Sequence, residues 1–369
     1  MTGTDWKARA AALAEDLARA GDLRDPAWAA AVAATPRHLL VPTAYEQGAD
    51  GGWSEVDASG LAYSTTTLVT AVDGAGRPVS SSTKPDLMVR MLEALDVRDG
   101  NRVLEIGTGT GYNAALLAHR LGDDHVYSVD VDQQLVTTAR ERLATFGCRP
   151  NLAAGDGING WPEHGPYDRI IATCSVPRIP TAWLAQVTEG GKVLVDVKVN
   201  TGAGNLVLLH RHGDRLEGRF TQRWAGFMAM RHDGDVDPAR APKAEADRQR
   251  ETAAPAEPWN DHREVWFLAC LRLPANLSYG YMLDPATRQP TASSLRAPDG
   301  SWCQVSGGVL REAGATPMWA EVERAYRAWC DWGRPGWERF GLTATPDGQW
   351  WWLDEPGSRA TLDGASVHC

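Results

Sequence analysis

The stretch Val103-Leu104-Glu105-Ile106-Gly107-Thr108-Gly109-Thr110-Gly111-Tyr112 constrains this chain more than any other. A short apolar run holding one acid reads as a buried parallel strand, and the Ala/Leu-rich segment after it, to about Leu121, as a helix. Gly107, Gly109 and Gly111 make the turn between them, because glycine reaches backbone angles closed to other residues and lets a ligand lie against the main chain. The helix that follows presents its free N–H groups to the same place. A second strand, His125 to Val129, ends in Asp130, which falls nineteen residues after Gly111. That is where a doubly wound fold puts the acid that accepts hydrogen bonds from ribose hydroxyls.

The spacing is Gly-x-Gly-x-Gly, whereas pyrophosphate-binding dehydrogenases use Gly-x-Gly-x-x-Gly. With Glu105 inside the strand end, the turn suits a ligand with a cationic amino acid end better than one with two phosphates. Adding Gly155-Asp156-Gly157 after a third strand, the set resembles the S-adenosylmethionine site of a class I methyltransferase. The plainer alternative is an ordinary glycine turn between strand and helix.

Around this centre the chain alternates strands and helices, which indicates an α/β parallel sheet. Helices are expected over residues 6–20 and after Asp25-Pro26, and residues 43–60 give no clear pattern. Thr65 to Val72 and Arg77 to Ser81 read as paired strands. Ser80-Ser81-Ser82-Thr83-Lys84-Pro85 then leads into a helix, with the hydroxyls expected to cap it and to bind a substrate carboxylate. Later elements are a helix from Gln134 to Phe146, strands at 151–154, 167–173, 192–197 and 206–210, and a helix at Thr181–Gln186. Residues 231–258 are rich in Ala, Pro and charge and read as a linker. Beyond it, Val265 to Leu273, Tyr279 to Leu283 and Ser301 to Val305 read as strands, Pro317 to Trp332 as a helix and Leu342 to Asp354 as a hairpin. The division expected is a catalytic domain over 1–230, opening with helices and a hairpin over 1–84, the linker, and an α+β extension over 259–369.

Composition narrows the function. A net charge of −10 argues against a nucleic-acid backbone as partner, which needs clustered Lys and Arg. Six scattered cysteines without a Cys-x-x-Cys pair fit neither a zinc framework nor a disulfide scaffold, so a reducing cytoplasm is expected and no metal. No apolar signal core and no run long enough to span a bilayer stands in the sequence, so no membrane association is expected. Eleven of the sixteen tryptophans follow residue 220, and core packing is the expected place for each. Oligomeric state is not legible.

These residues together resemble the protein-L-isoaspartate O-methyltransferase family over roughly residues 10–212. The likeness lies in Pro36 to Pro42, the Ser/Thr-Lys-Pro start of a helix, Leu104 to Tyr112, Gly155-Asp156-Gly157, Tyr167-Asp168-x-Ile-Ile and Val176-Pro177-Arg178-Ile179-Pro180. It implies a class I S-adenosylmethionine-dependent methyltransferase fold, Rossmann-like, with S-adenosyl-L-homocysteine as product. The implied cofactor residues are Glu105, Gly107, Thr108, Gly109, Thr110, Gly111, Asn113, Asp130, Val131, Asp156 and Gly157, with the methionine end on Glu105 and the glycine turn, ribose on Asp130 and adenine on Asp156. Ser81, Ser82 and Thr83 are implied to orient the acceptor carboxylate, with Lys84, Ser175 and Val176 beside it.

Two positions depart from the family: Thr83 stands where its active-site Ser is usual, and Leu206 where a Gln is usual. The Ser-Ser-Ser-Thr-Lys-Pro entry and the Trp-rich extension resemble the subgroup associated with ribosomal peptide maturation, most of all the methyltransferases beside ATP-grasp ligases that make graspetide macrocycles, with relatives serving lanthipeptides and lasso peptides. That subgroup implies a modified ribosomal precursor peptide as partner, methylated on an ordinary aspartate and then closing to a succinimide, and isoaspartate on hydrolysis. The extension is then expected to pack against the catalytic domain and wall the peptide groove. Repair of isoaspartyl proteins is the alternative, and an inactive peptide-binding module the alternative of another class. Methyl transfer to a carboxylate needs no general base, since the acceptor is already ionised at neutral pH.

Overall fold

A computed structural model describes residues 5–48, 51–200, 202–231, 246–284, 287 and 289–357. The chain opens with helices α1 (Asp5–Arg19), α2 (Pro26–Ala34) and α3 (Arg37–Leu40). Asp25 caps α2 by accepting from the Ala27 N–H, with Pro26 in the first turn as the sequence suggests. Strands β1 (Thr43–Gln47), β2 (Trp53–Asp57), β3 (Leu68–Val72) and β4 (Pro78–Ser82) form a small sheet in the order β2-β1-β3-β4. The first two lie in the stretch that gave no readable pattern.

Helix α4 (Pro85–Leu95) leads to the central unit: β5 (Val103–Ile106), α5 (Tyr112–Leu121), β6 (Val126–Asp130), α6 (Gln133–Ala144), β7 (Asn151–Ala154), β8 (Tyr167–Val176), α7 (Thr181–Gln186), β9 (Val187–Asn200), β10 (Ala203–His212) and β11 (Arg215–Phe220). Then come β12 (Arg248–Glu251), α8 (Pro258–Asp261), α9 (Arg263–Cys270), β13 (Ser278–Leu283), β14 (Pro290–Arg296), β15 (Trp302–Ser306), β16 (Val309–Ala313), α10 (Met318–Asp331), β17 (Phe340–Thr345) and β18 (Gly348–Leu353).

The main sheet has nine strands in the order β18-β17-β11-β10-β9-β8-β5-β6-β7. From β5 through β9 all pairings are parallel. The chain runs outward from β5 to β7 and returns on the other side as β8, so the order reverses between β5 and β8. At that reversal a doubly wound sheet leaves a crevice beyond its strand ends. Side-chain alternation splits the core across the sheet: Val193, Val195 and Val197 of β9 face one apolar cluster, and Leu194 the other. The second cluster holds the N-terminal helices with α4, α5 and α6; the first holds α9 and α10 of the C-terminal stretch.

Three expectations are corrected here. Residues 265–273 do not form a strand; α9 is a helix whose residues Val265 to Cys270 are all buried. A short apolar run covered on every side carries no period, so strand and buried helix look alike in sequence. The 231–258 stretch is not only a linker, because β12 lies in it and pairs with β16; residues 232–245 lie outside the described residues. The 259–369 stretch, expected as an α+β extension packed against the catalytic domain, also contributes strands to the catalytic sheet itself. Its β17–β18 hairpin continues that sheet beside β11, while β12 to β16 form a separate five-stranded sheet. Most tryptophans there are core residues, Trp266, Trp319 and Trp351 among them, and Phe267 of α9 meets Phe220 of β11 at 5.5 Å.

Candidate active site

A cleft of about 1140 Å³ opens over the strand ends at the reversal between β5 and β8. Its first half comes from a single run of sequence. Gly107, Gly109 and Gly111 all have positive φ, at 97°, 50° and 82°, so the turn is closed to residues with a side chain. At Gly107 a Cβ would also lie 2.7 Å from the Thr173 hydroxyl, which donates to the Gly107 carbonyl at 2.8 Å. At Gly157 a Cβ would meet Ile106 at 2.4 Å. The turn is pinned from the next strand, with the Gly107 N–H donating to the Val129 carbonyl and the Gly109 N–H to Asp130 Oδ2 at 2.9 Å.

Two carboxylates serve this half. Asp130 lines the cleft, and burial pushes its carboxyl up from the ordinary range while the N–H groups of Gly109 and Asp132 hold it back. Glu105 lies beneath the turn, 1% exposed, accepting from Asn113 Nδ2 at 2.8 Å and Ser128 Oγ at 2.7 Å. Burial pushes its carboxyl up to about 7, against those two hydrogen bonds. Thr108 shares a hydrogen bond with Ser128 at 2.7 Å, so Thr108, Ser128, Asn113 and Glu105 form one buried polar network. Buried Asn113 Oδ1 has no partner in it.

The second half is assembled from distant segments. The end of β4 brings Ser80, Ser81 and Thr83 to the cleft, with Ser80 Oγ and the Ser81 carbonyl each 3.9 Å from where a Cβ on Gly109 would stand. Ser81 and Thr83 hydroxyls carry no hydrogen bond among the described residues. Behind them is Arg37, fully buried, donating to Ser82 Oγ at 2.9 Å, to the Thr83 carbonyl at 3.2 Å and to the Ala62 carbonyl at 2.8 Å. Its guanidinium also lies 5.0 Å from the Tyr112 ring centroid, tying the β4 end to the start of α5.

Opposite, residues 226–231 run along the mouth as a strap. Ser175 at the end of β8 donates its N–H to Met228 and accepts from the Met230 N–H, at 2.8 and 2.7 Å. Asp196 on β9, fully buried, accepts from the Phe227 N–H at 2.8 Å, and Lys198 donates to the carbonyl of the same residue. Burial pushes the Asp196 carboxyl up, opposed by Lys198 at 3.4 Å.

Among the residues singled out from sequence, Ser81, Thr83, Gly107, Gly109, Asp130, Val131 and Gly157 line the cleft. Thr108, Thr110, Gly111, Asn113 and Glu105 lie in the layer behind it. The hydroxyls do not cap α4; Lys84 is its N-cap residue and makes no side-chain capping bond, and Ser80 to Ser82 belong to β4. Ser82 points away to Arg37, Lys84 pairs with Asp86 at 3.0 Å, buried Ser175 shapes the wall only through the strap, and Val176 is packed in the core. Asp156 caps the short turn at Gly157–Asn159 by accepting from Ile158, and only its neighbour Gly157 lines the cleft. Sequence reasoning missed Thr173, Cys174, Asp196 and the strap, whose segment has no strand pattern of its own. Arg37 stood in a quoted motif without a role.

The site fits S-adenosylmethionine. A bare main-chain turn suits the amino acid end, and the Asp130 carboxylate at the end of β6 is a suitable acceptor for ribose hydroxyls. A buried acid poised near neutrality lies beneath the turn, where a cationic amine would favour its charged form.

A sequence model of the protein-L-isoaspartate(D-aspartate) O-methyltransferase family matches residues 8–223. Protein-L-isoaspartate O-methyltransferase 2 of Pelobacter propionicus is 37% identical over 193 residues, 52% of this chain and 76% of that protein. The protein-L-isoaspartate O-methyltransferase of Aeromonas hydrophila is 34% identical over 220 residues, 59% of this chain and 95% of its own length. A solved structure of a protein-L-isoaspartate O-methyltransferase superposes with a TM-score of 0.57 over 93% of this chain and 99% of that one, at 22% identity. This last likeness is one of fold, and it reaches past residue 223 into the C-terminal stretch.

Proposed function

From the premise that the chain belongs to the protein-L-isoaspartate(D-aspartate) O-methyltransferase family, we propose that its acceptor is the carboxylate of an isoaspartyl residue in a peptide or protein. The protein is a protein carboxyl methyltransferase with S-adenosylmethionine as its cofactor, on the class I methyltransferase fold. The observation that carries the acceptor reading is the pair of unsatisfied hydroxyls, Ser81 and Thr83, facing the same cleft as the glycine turn.

When bound, the cofactor supplies a methyl group made electrophilic by a sulfonium. The chain's own residues then position the reactants. Ser81 and Thr83 donate to one carboxylate oxygen and aim the other along the line of displacement. Arg37 holds the strand end that carries them, so their positions do not relax when the acceptor arrives. The Gly107–Gly109 turn and Asp130 fix the cofactor end, and the strap keeps water from the reacting oxygen. No residue has to take a proton, because the acceptor is an anion before it binds. The five described cysteines are unpaired, which suits a reducing cytoplasm.

A second reading keeps the same chemistry with a different acceptor, an ordinary aspartate in a cyclised ribosomal precursor peptide. It is favoured by Thr83 standing in the cleft where the family usually has serine. The C-terminal stretch does not separate the readings, since a solved isoaspartate methyltransferase superposes along it too; Leu206 does not either, being buried in the core. Incubating the protein and S-adenosylmethionine with an isoaspartyl peptide, its normal aspartyl counterpart and a cyclised aspartyl peptide decides by mass spectrometry. The proposal expects one methyl gained on the isoaspartyl peptide, followed by loss of methanol. A methyl gained only on the cyclised peptide would move the assignment to the second reading, and none on any of the three would remove both.

A further inference from the structure

Among the described residues lining the cleft, one comes from beyond Arg231: Asn276, in the loop joining α9 to β13. The loop tip is short and held from both sides. Leu273 and Leu277 flank it and are buried at 7% and 2% exposure. Asn200, at the last position of β9, donates from Nδ2 to the Pro274 carbonyl at 2.7 Å and also reaches the Leu273 carbonyl. Just past it, a Cβ on Gly202 would stand 2.3 Å from the Tyr279 hydroxyl, so Gly202 fits closely against the start of β13. Asn276 has φ +60°, a left-handed conformation that Asn accepts more readily than most residues. Its side chain is exposed and makes no hydrogen bond among the described residues.

Position decides what this amide can touch. The cofactor half of the cleft lies over β5 and β6, with Gly157 after β7, whereas Asn276 is docked on the end of β9, across the reversal. It stands where an acceptor would extend away from the reacting carboxylate. A primary amide offers two donors and an acceptor, the complement of a peptide group. We propose that Asn276 is a specificity-determining residue that hydrogen bonds the backbone of the acceptor chain, at a peptide group beyond the two that flank the reacting residue. The proposal rests on the peptide-carboxylate reading above and lies outside the residues the family model matches.

The test uses the full chain and Asn276→Gly, which keeps the left-handed backbone and deletes only the amide. Two probes are compared, a short isoaspartyl peptide and a single isoaspartyl residue blocked at both ends. Binding of the peptide to protein saturated with S-adenosylhomocysteine is measured alongside by calorimetry. With the peptide, KM and Kd should rise about three- to tenfold, the span of one net hydrogen bond, with kcat unchanged. The blocked residue should be processed as by the wild type. Asn276→Asp, which keeps the shape but has no donor, should lose peptide affinity as well. An unchanged peptide KM in the glycine variant, or an equal loss on the blocked residue, would overturn the proposal while leaving the acceptor reading standing. Wild-type protein that methylates neither probe would remove the acceptor reading and this inference together.

Discussion

The two halves of the cleft are built in opposite ways. The half assigned to the cofactor comes almost entirely from residues 103–131, where strand, glycine turn, helix and second strand follow without interruption. The half assigned to the acceptor gathers β4, the end of β8, the strap at 226–231 and a loop at 276. A ligand common to many enzymes is met by a local device, whereas the acceptor is met by parts whose proximity exists only after folding. The first half therefore tolerates little change, and the second is where substrate preference can be altered without loss of the fold.

Asp130→Ala should have the largest effect, and on the first half alone. It removes the carboxylate proposed to accept from the ribose and also frees the Gly109 N–H that pins the turn. Hydrogen bonds to a charged group are worth about 1.5–3 kcal/mol each, so calorimetry should show cofactor affinity falling roughly a hundredfold. Affinity unchanged in a folded variant would break the division of the cleft.

Glu105→Gln probes the same half through pH. The Glu105 carboxyl is raised from 4.5 to about 7 by burial. Below 4.5 both folded and unfolded chains hold its proton, and its contribution to stability is fully present. Between 4.5 and 7 the unfolded chain releases the proton first, so that contribution falls as pH rises, and above 7 it stays lost. The shift corresponds to about 3 kcal/mol. Denaturant unfolding at pH 5 and pH 8 should show the wild type losing more stability than the glutamine variant. Equal losses would place Glu105 in a wetter site than the structure gives it.

How legible each half was in sequence follows from the same contrast. The glycine turn, Glu105 and Asp130 could be read because strand, turn and helix impose a fixed spacing on neighbours in the chain. Thr173 was invisible because its bond to the Gly107 carbonyl spans 66 residues. Asp196 looked like any charge near a strand end, yet it is buried and holds Phe227 from 31 residues away. Four consecutive hydroxyl residues ahead of Lys84 suggested a helix cap that also binds a carboxylate, but β4 alternates its faces, burying Ser80 and Ser82 and leaving Ser81 less covered. In the C-terminal stretch β-branched and aromatic residues at 265–267 suggested a strand, but they lie in a fully buried helix, whose sequence carries no period to tell it from one.

Smaller effects sharpen the second half. Thr83→Val keeps the shape and removes one hydroxyl, so kcat/KM should fall about tenfold while cofactor affinity holds, a split visible by combining kinetics with calorimetry. Lys84→Ala should leave the acceptor KM within about twofold, because Lys84 is paired with Asp86 and 41% exposed, and such pairs contribute little. A large rise in KM there would return Lys84 to the acceptor site.

The most direct test is a crystal structure of the protein with S-adenosylhomocysteine and an isoaspartyl peptide bound together. The account predicts the ribose against Asp130, the homocysteine end on the Gly107–Gly109 turn, and the acceptor carboxylate within hydrogen-bond distance of Ser81 or Thr83. The peptide would leave across the ends of β8 and β9. A carboxylate held elsewhere, with both hydroxyls facing solvent, would contradict it.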